Sequence, residues 1–214
     1  MGYWIVIFPV IRILMIERNA QFVSSGVFFF NYLVECIECM FYHQEGKNMK
    51  RRVVKKQNNS KMCFVCGMQN ENGLKAAFYE LENEEIIAIF SPLEEHQSYP
   101  ERLHGGVAAA VLDETIGRAV NIRHGGIWGV TVELNLKYRK PIPLDQELRV
   151  VARITRDTSR IFEGTGEILL PNGEIAATAS GKYMKLPIEK IANFGTEEEW
   201  EVILSVNDPD FVDY

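Results

Sequence analysis

The chain has 214 residues, enough for one domain with a real core plus appendages, or for two small domains. Its hydrophobic content of 47% and charged content of 24% are ordinary for a globular protein. The net charge of −6 argues against general nucleic-acid binding, although that charge is uneven: Lys47 to Lys61 holds seven basic residues and no acid, and Glu189 to Tyr214 holds eight acids and one lysine.

Residues 1–48 form a hydrophobic extension with half of the chain's twelve phenylalanines. Its longest uncharged run, Asn19 to Val34, is 16 residues and includes Asn, Gln and two Ser. A membrane helix needs roughly 20 apolar residues, so a membrane span is not expected. No positive n-region opens the chain, so a signal peptide fits poorly. Three readings stand for this extension: a weak anchor, an added hydrophobic element, or a stretch that is not part of the functional protein, which would then start at Met49 or Met62.

Residues 49–61 read as a basic linker or tail. Four cysteines fall in two C-x-x-C pairs, Cys36/Cys39 and Cys63/Cys66. Without a recognisable secretory signal, a reducing, cytoplasmic compartment is expected. Cys63 and Cys66, followed by Gly67, fit half a zinc site, a redox pair, or a turn with small buried thiols.

From Leu74 onward strand patterns dominate. Leu74–Leu81 and Glu85–Ser91 form an expected hairpin around Glu82-Asn83-Glu84. A loop follows to Arg102. Then comes one long apolar helix from Gly105 to near Ile122, stopped by Gly125-Gly126. Gly129–Tyr138 alternates, with Val130, Val132, Leu134 and Leu136 on one side and Thr131 on the other. Gln146–Arg156, Arg160–Leu170 and Glu174–Leu186 complete the strands. Short connections make these strands antiparallel neighbours. The fold class is α+β, an antiparallel sheet curled round one central helix. The acidic tail, 187–214, reads as a terminal helix or a disordered segment.

Asp113 sits on that buried helix, so it needs either a partner or a task. Leu103-His-Gly-Gly with Asp113 nine residues after the His, the strand Gly-Val-Thr-Val-Glu-Leu-Asn-Leu-Lys-Tyr-Arg-Lys-Pro and the ending Asn-Gly-Glu-Ile-Ala-Ala-Thr-Ala-Ser-Gly-Lys-Tyr together resemble hotdog-fold acyl-CoA thioesterases of the PaaI type, within the 4-hydroxybenzoyl-CoA thioesterase-like superfamily. The resemblance covers about Met62 to Leu186 and makes 62–186 the hotdog domain. It implies acyl-CoA as substrate, a homodimer or homotetramer, and no metal or organic cofactor. It implies Asp113 as base or nucleophile, His104, Gly105 and Gly106 at the helix entry, and Thr131 as the hydroxyl that positions water. In some members an Asn stands six residues before the His; here that position is Ser98, and His96 and Gln97 stand beside it.

Physics supports such a site. Amides at a helix start are unpaired and sit at the positive end of the dipole, and Gly105 and Gly106 let a carbonyl approach. Gly106 and Asp113 are seven residues apart, which is about 10 Å along a helix. One chain cannot bring both to one carbonyl, whereas two copies about a two-fold axis can. Arg139 and Lys140, with Lys137, are candidate contacts for coenzyme A phosphates or a solvated strand end. Glu114 and Arg118 read as a structural i, i+4 pair, and His124 as a loop residue. Rival readings are a non-catalytic acyl-CoA binding module, a hydratase of the same fold, and a zinc-dependent interaction protein.

Overall fold

The computed structural model describes residues 50–192 and 200–214. The extension 1–48, with Cys36 and Cys39, lies outside the described residues. In chain order the strands are β1 (Lys50–Lys56), β2 (Asn59–Ser60), β3 (Ala77–Leu81) and β4 (Ile86–Phe90). Helix α1 (Gly105–Arg118) and a short α2 (Val120–Arg123) follow. Then come β5 (Ile127–Tyr138), β6 (Leu148–Asp157), β7 (Ile161–Leu169), β8 (Ile175–Pro187), β9 (Trp200–Glu201) and β10 (Phe211–Asp213).

Eight strands form one sheet in the order β10-β1-β3-β4-β6-β7-β8-β5. All of these pairs are antiparallel. The expected hairpins β3–β4, β6–β7 and β7–β8 are neighbours, because their turns are too short for anything else. Strand β5 is different. It pairs with β8 and forms the end of the sheet rather than lying beside β6. Residues 139–147 make the crossing, running beneath the helix entrance, where Leu103 N–H donates to Ile142 O at 2.9 Å.

The sheet wraps α1, which buries Ala108, Val111, Leu112, Thr115, Ile116 and Arg118. Strand β7 shows why the two fit. Every second residue, Phe162, Gly164, Gly166 and Ile168, is buried against the helix. A Cβ on Gly164 would lie 2.7 Å from Ile116 Cγ2, so only glycine lets α1 settle this close. The helix departs from regular geometry at Ala119, and α2 carries the chain on to Arg123.

Two expectations for the ends are corrected. The basic stretch read as a linker contains β1, and the acidic tail read as helix or disorder contains β9 and β10. The opposite charges explain the change: Lys50 lies across from Asp213 in the β1–β10 ladder. Lys56 Nζ contacts Asp208 at 2.6 Å, and Tyr79 OH donates to the same carboxylate at 2.8 Å. Val212 also covers a second apolar cluster on the sheet, formed with Tyr79, Leu81, Ile87 and Val151. Each end looked solvated on its own, but together they form the β1–β10 edge of the sheet. The described residues fall within a single unit, 47–214.

Candidate active site

The entrance of α1 is built by backbone bonds from three directions. His104 is its N-cap, in extended conformation, and its Nδ1 accepts the Gly106 N–H at 2.9 Å. His104 O takes the N–H groups of Val107 and Ala108. Its own N–H donates to His96 O at 2.9 Å. Tyr138 OH donates to Gly105 O at 2.6 Å, fixing the first turn against β5. The Gly106 amide, expected to face substrate, is therefore occupied by the His104 ring. Among the described residues the Gly105 N–H has no acceptor, so it is the first-turn amide left for a ligand.

The loop before the helix separates its three candidates. His96 is 2% exposed. Its Nδ1 accepts the Leu93 N–H at 2.9 Å, so the proton is on Nε2, which donates to Asn72 O at 3.0 Å. That ring is a brace between segments. Gln97 and Ser98 are exposed, and the Ser98 backbone N–H closes the loop onto Arg102 O.

Asp113 lies half-buried on α1 and has two hydroxyl partners. Thr131 Oγ1 is 2.9 and 3.0 Å from its two carboxylate oxygens, and Tyr183 OH is 2.9 Å from Oδ1. Thr131 reaches this place through an irregularity. In the β5–β8 ladder Thr131 faces Tyr183 and Glu133 faces Lys182, so Val132 is an extra residue. A regular strand would send Thr131 and Leu134 to opposite faces. The bulge turns both toward the helix and leaves Val132 56% exposed. The simple alternation expected for this strand therefore breaks at the site.

Burial pushes the Asp113 carboxyl above the ordinary carboxylate range, and the nearby Glu114 charge pushes the same way, while the hydroxyls of Thr131 and Tyr183 draw it partly back. Tyr183 is fully buried and stacks on Phe162 at 5.0 Å. Its phenol is held protonated by burial and by the Asp113 charge. Within the strand Glu174–Leu186 the sequence alone assigns Tyr183 no role. The signal it offered was an inward position on that strand, which does not separate a core tyrosine from one that grips a carboxylate. Tyr183→Phe removes a donor to the charged form, so the Asp113 pKa rises further. The acid limb of any Asp113-dependent activity should then move to higher pH, with the limb measured on both proteins as the check.

Arg139 and Lys140 follow β5 and are exposed, and Lys140 pairs with Glu174. Glu114 and Arg118 make the expected i, i+4 pair at 2.8 Å, with Arg118 buried. His124 is more than a loop residue: its Nε2 lies 2.9 Å from Asp157, which also pairs with Lys185. These three line a cleft of about 440 Å³ with Ile127, Thr158 and Ser159, none of them a predicted site residue.

Residues 101–177 match the model of the thioesterase superfamily. The domain has the hotdog fold, and its matched segment is similar to the thioesterase superfamily. A crystal structure of a thioesterase superfamily protein superposes with a TM-score of 0.54 at 21% identity, covering 75% of this chain and 85% of that one. An uncharacterized protein of Schizosaccharomyces pombe is 28% identical over 129 residues, 57% of this chain and 74% of that protein. Acyl-coenzyme A thioesterase 13 of Mus musculus is 29% identical over 73 residues, 34% of this chain and 52% of that enzyme, so the match spans about half of it. The segment matched to the superfamily holds His104, Gly105, Gly106, Asp113, Thr131, Arg139 and Lys140; Ser98 and Tyr183 lie outside it. No helix among the described residues is long and apolar enough to cross a membrane.

Proposed function

We propose that this domain hydrolyses acyl-CoA thioesters to free acid and coenzyme A, in a site shared by two copies of the chain. The observation that carries the reading is Asp113, a carboxylate held by two hydroxyls on a buried helix whose entrance offers an open amide. In this reading Asp113 attacks the thioester carbonyl or takes the proton of the attacking water. The Thr131 hydroxyl, already on the carboxylate, orients that water. The Gly105 N–H polarises the carbonyl oxygen as charge develops there, and the thiolate of coenzyme A leaves. His104 holds the helix entry in place. Arg139 and Lys140 meet the phosphates of coenzyme A, Lys140 exchanging Glu174 for them.

The roughly 12 Å along the helix between the Gly105 amide and Asp113, eight residues later, requires a second copy. Strand β5 ends the sheet, so its outer edge is available to a second β5 about a two-fold axis. That arrangement supports a homodimer, and two such dimers make a homotetramer. The proposal keeps the cytoplasm as compartment, where thiols such as Cys63 and Cys66 stay reduced.

The test is release of free thiol from short, branched, aromatic and long acyl-CoAs, run beside sedimentation of the protein. Turnover of at least one class by a species no smaller than a dimer is expected. Acyl-CoA binding without thiol release would instead select the non-catalytic module, which the exposed Ser98 at the altered position favours.

A further inference from the structure

The function above leaves Cys63, Cys66 and Glu114 without a task. Their ligand atoms all lie within 4.8 Å of one another. We propose that these three side chains bind one zinc ion, which ties the segment around Ser60 to Gly67 onto α1.

The backbone is shaped for it. The Gly67 N–H returns to Cys63 O at 2.8 Å, and a Cβ at Gly67 would lie 2.4 Å from that oxygen, so no other residue fits the turn. The turn aims the N–H groups of Val65 and Cys66 at Cys63 Sγ, at 3.3 and 3.4 Å. Cys66 Sγ receives the Ser60 N–H at 3.4 Å and Arg118 Nη2 at 3.2 Å. Zinc takes these sulfurs as thiolates, and the donors aimed at them stay in place around the bound sulfur. Tetrahedral zinc with thiolate and carboxylate ligands needs donor separations of about 3.5–3.8 Å, within side-chain rotation of the spacing present.

Charge completes the argument. Two thiolates and the Glu114 carboxylate carry three negative charges. Arg118, 2.8 Å from Glu114, cancels one of them. A divalent cation cancels the other two, leaving a neutral buried cluster. Binding displaces the two thiol protons to solvent. Thiolate ligands select zinc over magnesium or calcium, which prefer oxygen. The three side chains fill three corners of the tetrahedron and a water fills the fourth, and no step at Asp113 runs through the ion.

The test is metal analysis of the full chain, purified under reducing conditions, loaded with zinc and dialysed. About one zinc per chain is expected from a site of this ligand set. Cys63→Ser and Cys66→Ser should each lose it, and Glu114→Gln, which removes a direct ligand, should weaken zinc affinity by more than the roughly 10–100-fold that losing an outer-shell partner costs. The Cys36→Ser/Cys39→Ser variant should keep it. Retention of zinc by the Cys63 and Cys66 variants, loss in the Cys36/Cys39 variant alone, or no zinc in the unaltered chain overturns the proposal. If the serine variants do not fold, cobalt in the unaltered chain decides. A tetrahedral spectrum with charge transfer from two thiolates supports the site, and an octahedral spectrum or none overturns it.

Discussion

Asp113→Asn is expected to lower kcat/KM for acyl-CoA hydrolysis by about 10²–10⁴-fold, the range lost when a general base is removed. Asparagine has nearly the same shape, and its carboxamide oxygen can still accept from Thr131 or Tyr183, so the fold should persist. The linkage sign gives a second readout. Burial raises the Asp113 pKa in the folded state, so its contribution to stability is present at low pH and lost as pH rises through that value. At neutral pH the folded chain therefore carries a charge that burial disfavours. Asp113→Asn removes that charge, and its melting temperature should equal or exceed that of the unaltered chain. A loss of turnover with a stable or more stable protein marks a group kept for chemistry rather than for folding. Unchanged thiol release by Asp113→Asn would sink the site assignment.

The same carboxylate shows how far the sequence could be read. One buried helix with an acid pair, and strands separated by three- to five-residue turns, were enough to give α1 and three of the hairpins. They did not give the position of β5, because a nine-residue crossing with two prolines leaves its neighbour undetermined. They did not give the bulge at Val132, because an extra residue in a strand leaves no mark in an alternating pattern. Yet that bulge is what turns Thr131 toward Asp113. Tyr183 was hidden for a related reason: its partner is 70 residues away, and only the folded sheet against α1 brings them together. The charged ends were misread because each was judged alone. Lys56 looks solvated until Asp208, 152 residues later, is set against it. What local pattern determines was legible, and what long-range pairing determines was not.

The proposed sharing of the site between two chains makes a sharper demand than either half does alone. Gly105→Pro is expected to lower kcat by about 10²–10³-fold, because it deletes the one open amide at the helix entrance. Proline is tolerated at the first helical position, and His104 already has the extended backbone that a residue before proline requires. Both single variants should therefore fold and be nearly inactive. Mixing them distinguishes the arrangements. If the amide and the carboxylate of a working site came from one chain, every site in every mixture would carry one lesion, and no activity would return. If they come from different chains, a mixed dimer has one site with both lesions and one site with neither. Random reassortment in an equal mixture makes half the dimers mixed, so about a quarter of the unaltered activity should reappear. It should appear only after subunit exchange, for example on refolding the two variants together, and not on adding them as preformed oligomers. A mixture that stays inactive after verified exchange would place the whole reaction within one chain and remove the need for the second copy.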